Sequence, residues 1–291
     1  MRPLRQILCG GAAAAVLLAL CGFGGSAAAT RATSATGVCQ TTDGYRLLGS
    51  DGGVFGFGVA PFFGSAGSMH LSYPAVSIAS TKAGRGYWLA TSNGGVLAYG
   101  PGAKFAGSYG HIHPPQPIVA VASKPQGDGY WLVRSDGFVS GFGNARVYGN
   151  AAALHLQQPI VGMVATPSGR GYWLVARDGG IFGYGDATFY GSAAAVRLNQ
   201  PIVGIARVPS GQGYWLVARD GGIFGYGPKA KFFGSLGGGM ASAPIVGIAA
   251  GNAGGYRLAA ADGNVYAFGT ATCGSMAGRH LASPIVAIGE T

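Results

Sequence analysis

From Gly44 onward, short apolar runs alternate with clusters of Gly, Asp, Pro and Ser, and no stretch there holds a helical period. Residues 159–192 show the pattern. PIVGMVA (159–165) is a β-branched run opened by Pro, which a strand tolerates at its first residue. TPSGRG turns the chain, and GYWLVA (171–176) is apolar without alternation, as a strand covered on both faces is. RDGG (177–180) reads as a hairpin, with Asp-Gly supplying the positive φ that a tight turn needs. IFGYG is a third run, GDA turns again, and TFYGS (188–192) is a fourth. The pattern predicts four short antiparallel strands, here a, b, c and d.

The same four pieces recur along the chain. The stretch GYWLVARDGGIFGYG is written identically at 171–185 and 213–227. The tyrosine after its first Gly is Tyr45, Tyr87, Tyr130, Tyr172, Tyr214 and Tyr256, at intervals of 42, 43, 42, 42 and 42 residues, which makes six units. About 42 residues and four strands per unit is the signature of a β-propeller blade. An open solenoid would need polar capping repeats. Here the first unit lacks its a strand, having ATGVCQTTD before GYRLLGS, and the chain ends on a spare one, PIVAIG (284–289). Joined, they complete one blade and leave no open edge. The expectation is an all-β, six-bladed β-propeller of four-stranded blades over 44–291, closed by the C-terminal strand joining the first blade. Its repeats start near 44, 86, 129, 171, 213 and 255.

Charge and cysteines place the protein. A basic start, an apolar run and an A-x-A site at Ala27 and Ala29 mark residues 1–29 as a signal peptide, with 30–43 a lead segment; retention as a membrane anchor is the alternative. Of nineteen Lys and Arg, Arg2 and Arg5 leave with the signal, so seventeen face nine acids, about +8 on the mature chain. Such a surface is drawn to anionic polymers; basic side chains keeping a Gly-rich surface soluble is the plainer account. Cys39 and Cys273 remain as an even pair in an oxidising compartment, so a disulfide is expected. In a closed ring it would join the seam, worth about 4–5 kcal/mol by loop entropy.

The unit G-Y-W-L-V-A-x-D-G-G-I-F-x-[YF]-G-D-A-x-F-Y-G-S, followed by L-x-x-P-I-V-G-[IM]-A, resembles tandem repeats of secreted or surface proteins of Actinobacteria. It covers Gly44 to Gly289. The resemblance implies a secreted or envelope-associated protein and brings no activity with it. The GH and WD dipeptides of WD repeats are missing.

Candidate chemistry is sparse. The d–a connection is ten residues from turn Gly to Pro in every unit, and the b–c hairpin is constant, so one face of the ring has fixed loop lengths. Four residues before each Pro stand His70, His113, His155, Arg197, Met240 and His280; His111 is the remaining histidine. These side chains could ring the channel mouth and bind an anionic or carbohydrate ligand, or could satisfy carbonyls of their own loops. A metal is not expected, because ligands at about 2.0–2.1 Å would have to converge on the axis. No cofactor is expected either. Asp51, Asp136, Asp178, Asp220 and Asp262, with Asn93 in the second copy, read as turn residues, not a calcium ring. Trp88, Trp131, Trp173 and Trp215 could stack on sugars or fill space between blades; Arg46 and Arg257 replace them in the outer units and could mark a distinct surface. No G-x-S-x-G elbow is present.

The reading is an exported, non-enzymatic binding or scaffold module at the cell envelope. Its partner would be an anionic envelope polymer, a glycan or another envelope protein, not nucleic acid, with no transmembrane span in the mature chain. A carbohydrate-binding lectin and a propeller-type hydrolase are the alternatives.

Overall fold

The computed structural model describes residues 39, 43–110, 112–252 and 254–291. The expected signal segment, most of the lead segment and His111 lie outside them. Among the described residues there are eighteen strands and one 3-10 turn, Lys82–Gly84.

The strands form six antiparallel sheets of three. In chain order they are β1 (Gly44–Gly49) and β2 (Val54–Gly58); β3 (Ala75–Ser80), β4 (Tyr87–Thr91) and β5 (Val96–Tyr99); β6 (Ile118–Ser123), β7 (Gly129–Arg134) and β8 (Val139–Gly143); β9 (Ile160–Ala165), β10 (Gly171–Ala176) and β11 (Ile181–Gly185); β12 (Ile202–Arg207), β13 (Tyr214–Ala218) and β14 (Ile223–Tyr226); β15 (Ile245–Ala250), β16 (Tyr256–Ala260) and β17 (Val265–Phe268); and β18 (Ile285–Glu290). Five sheets are built from consecutive strands. The sixth has the order β18-β1-β2, with Tyr45 opposite Glu290 and Leu48 opposite Ala287. The a strands pack in succession, β3 on β6, β6 on β9, β9 on β12, β12 on β15, β15 on β18, and β18 on β3.

The b strands form the core. β1, β4, β10, β13 and β16 are buried at every position, including Arg46 in β1 and Arg257 in β16. Each b-strand tyrosine hydroxyl reaches the preceding unit. The Tyr214 hydroxyl donates to Gly191 O at 2.7 Å and accepts from Tyr190 N at 3.1 Å. Tyr87, Tyr130, Tyr172 and Tyr256 repeat this on Gly64, Gly107, Gly149 and Gly234, and Tyr45 on Gly274 of the last unit. Backbone bonds run in the same sense, from Ile202 N to Arg177 O and from Ile285 N to Ala261 O, both at 2.9 Å, and Ser50 N donates to Pro284 O at 3.0 Å between the two ends of the chain.

Four strands per unit were expected; three form. The d stretch has no ladder because its backbone groups are taken by side chains. Trp173 Nε1 donates to Thr188 O at 2.8 Å, while Tyr214 holds Tyr190 N and Gly191 O. A Cβ on Gly183 of β11 would stand 2.6 Å from Ala187 O, so the returning chain crosses close over the c strand instead of pairing beside it. The glycine that ends d is required twice over. Gly191 has φ 134°, and a Cβ there would meet the Tyr226 ring at 2.6 Å.

Candidate functional site

The b–c hairpins and d–a crossings share a face because they are bonded to one another. Ala193 N on a crossing donates to Gly179 O of the hairpin at 3.0 Å, and Ala66, Tyr109, Ala151, Leu236 and Met276 do the same on Gly52, Gly94, Gly137, Gly221 and Gly263. The hairpin acids close Asx turns, as expected of Asp-Gly: Asp178 Oδ1 accepts from Gly180 N at 2.9 Å, and Asn93 serves equally toward Gly95 N at 3.3 Å. These carboxylates are occupied by the fold.

His70, His113, His155, Arg197 and His280 are exposed on this face, one to a crossing, with Met240 at the sixth position. Among the described residues no imidazole of this set hydrogen-bonds its own loop, and the His113 ring lies edge-on to Tyr73 at 6.1 Å. None of these five side chains is among the residues that line the basin described next.

A different set lines a basin beside the hairpins. Every a strand carries a β-bulge against its b strand, and the unpaired extra residue is always valine. Ile202 faces Ala218 and Gly204 faces Val217, so Val203 is left over; Val76, Val119, Val161, Val246 and Val286 occupy the same place. A bulge re-aims a side chain. Here Val76, Val119, Val161 and Val203 line a basin of about 420 Å3 whose rim carries Arg177 and Arg219. Sequence reasoning missed this set. The signal was present in the valine repeated after Pro-x in all six units, but bulge and strand look alike in an apolar run.

A second cavity, of about 330 Å3, is bordered by Lys82, Arg207 and Glu290. Glu290 opens onto it while accepting a hydrogen bond from Ala250 N at 2.6 Å. Enclosure by the surrounding strands pushes its pKa up; Ala250 N and the positive charges of Arg207 and Arg257 oppose the shift.

The tryptophans are core residues, at most 1% exposed. Each packs on the next unit's tyrosine, as Trp173 does on Tyr214 at 5.7 Å between centroids, so they present no stacking surface. Arg46 and Arg257 are equally buried and form no distinct surface. They reproduce the tryptophan contacts. Arg257 Nε donates to Ala271 O at 2.8 Å, where Trp173 reaches Thr188 O, and its guanidinium lies 5.1 Å from the Tyr45 ring. It also pairs with buried Asp43. Arg46 lies 4.7 Å from the Tyr87 ring and bonds Pro61 O, Gly84 O and Ser80 Oγ; burial pulls its pKa down. Guanidinium replaces indole where the chain ends meet, because extra donors are needed there for Asp43 and Ser80.

Cys39 and Cys273 form a disulfide, with Cα atoms 4.9 Å apart. Among the described residues no group of three or more His, Cys, Asp or Glu is placed to hold a metal, and no helix is long and apolar enough to cross a membrane.

No protein-family model matches the sequence. No curated protein matches it. Among solved structures, a chain of the nidogen/laminin complex superposes with a TM-score of 0.55 at 11% identity, covering 85% of this chain and 98% of that one. At that identity the likeness is one of fold. With its six three-stranded sheets and almost no helix, the chain is an all-β protein of propeller-like fold.

Proposed function

We propose that this chain is a closed six-bladed propeller, exported and held at the cell envelope, where it serves as a non-enzymatic module that binds an anionic polymer or glycan. Closure is supported by the β1–β18 pairing, the Cys39–Cys273 disulfide and the stacking of Arg257 on Tyr45. The seam then repeats the contacts found between every other pair of neighbouring units. Export is supported by the basic, apolar, A-x-A opening and by the disulfide. The repeat's resemblance to secreted actinobacterial proteins points the same way.

One observation carries the binding reading. The hairpin-and-crossing face exposes His70, His113, His155, Arg197 and His280, together with Arg177 and Arg219, while the aspartates of that face are spent on turns. Those aspartates keep their charge and offset the arginines, so the face turns cationic as the imidazoles are protonated, with its carboxylates held down in the turns and its basic side chains exposed. The test is retention of the mature protein on immobilised anionic envelope polymer across a salt gradient. Retention should fall steeply with salt and be weakened by combined H70A, H113A, H155A, R197A and H280A substitution. Retention indifferent to both would remove the reading.

A glycan ligand has support of its own. Phe62, Phe105, Phe189 and Phe232, one to a unit, are each at least 60% exposed, and Lys104 and Lys231 precede two of them. A lectin reading passes from the buried tryptophans to these rings.

A further inference from the structure

The basin ringed by the bulged valines has a composition that the polymer-binding face as a whole does not explain. Its floor is made of methyl groups from Val76, Val119, Val161 and Val203, and its rim carries two guanidiniums, Arg177 and Arg219, from neighbouring sheets. Neither guanidinium has an acid partner among the described residues. Their neighbours Asp178 and Asp220 are turned inward onto Gly180 N and Gly222 N. The contrast lies one sheet earlier, where Arg134 is closed off by Asp136 at 2.6 Å and stacks over Phe138 at 4.4 Å. The arginine backbones are fixed, Arg177 N on Pro159 O and Arg219 N on Pro201 O, both at 2.9 Å. Both forks thus spring from rigid hairpin stems beside an apolar hollow.

A pocket of about 420 Å3 lies in the range that takes a small molecule, not a macromolecular surface. Its methyl floor favours an alkyl group, at about 25 cal/mol per Å2 of apolar surface removed from water. The paired guanidiniums favour a planar oxyanion that both can fork. We propose that this basin is a binding site for one single-chain alkyl carboxylate, its chain on the valines and its carboxylate between Arg177 and Arg219. The site lies on the proposed polymer-binding face and shares Arg177 and Arg219 with it, but takes a different ligand, and no covalent step is involved.

Decanoate, kept below its micellar concentration, is the probe. In methyl NMR of the full mature chain it should shift the methyls of Val76, Val119, Val161 and Val203, leave exposed Val59 and Val147 still, and saturate at one per chain. Decanol and decyltrimethylammonium should bind at least tenfold more weakly. The double variant R177Q/R219Q removes only exposed side chains and should lose affinity by tenfold or more with an unchanged apo spectrum. A second variant, V161K, places an ammonium on the floor and should abolish the valine shifts. The proposal is overturned if the four valines do not respond, if decanol binds as well as decanoate, or if R177Q/R219Q binds decanoate as the parent does. Such a failure leaves the polymer reading standing, since that is scored by retention on polymer.

Discussion

The b-strand tyrosine does two jobs with one side chain. Its ring sits between the preceding unit's Trp or Arg and an aromatic of its own sheet's c strand, as Tyr214 does between Trp173 and Tyr226. Its hydroxyl clasps the d stretch of the preceding unit. Tyr214→Phe keeps the ring and orphans Gly191 O and Tyr190 N, so equilibrium unfolding should show a loss of about 1–2 kcal/mol. Burial raises the pKa of all six tyrosines, with the backbone bonds opposing it in part. A raised folded pKa leaves stability intact below the unfolded value near 10. Above that value stability falls until the folded pKa is passed, by up to about 1.4 kcal/mol per pH unit for each tyrosine titrating. Urea midpoints should therefore be level from neutral pH to about pH 9 and drop beyond about pH 10, and Tyr214→Phe should shallow that drop.

Among the elements, the b and c strands were legible in the sequence because an Asp-Gly or Asn-Gly hairpin joins each pair and their runs are mostly apolar. The d stretch was not. TFYGS has the composition of a strand, but whether its amides pair with strand c or with a neighbour's tyrosine is decided by units 23 or so residues away. The bulged valines were hidden for a related reason: one surplus residue in a six-residue run leaves no mark on its hydrophobicity. The substitution of Trp by Arg at 46 and 257 was visible, but its meaning was not, since a guanidinium in that slot reads as surface until its partners are placed. Arg257 is committed to Asp43, and both are buried. Arg257→Trp restores the unit's usual residue but strands a carboxylate, and should cost about 3–5 kcal/mol. Asp43→Ala combined with Arg257→Trp should recover most of that loss, and thermal unfolding of the single and double variants measures the difference.

For the whole molecule, the six-fold repetition and the complementary chain ends were legible from spacing alone. The site was less so. The sequence drew attention to histidines, which are rare and periodic, whereas the basin is built from valine and arginine, which recur but are common in this chain. Its position depends on where an inner strand buckles. The disulfide works at the molecular scale. It joins residues 234 apart in sequence, and the loop-entropy estimate for so long a span is about 5 kcal/mol. Cys39→Ser with Cys273→Ser should lower the denaturant midpoint and raise the m-value, since the unlinked unfolded chain exposes more surface, and dithiothreitol should do the same to the parent. A variant as stable as the parent would mean that the noncovalent contacts at the seam hold it alone.

The pairing of β18 with β1 sets the order in which the protein can be assembled. Five sheets draw on neighbouring sequence and can appear as the chain emerges, while β1 and β2 must wait for a partner from the far end. During that wait β1 offers a vacant lane, and the tail of another copy fits it as well as its own. Crowded or slowed folding would then yield interlocked pairs trading tails, each correct in every sheet and wrong only in ownership.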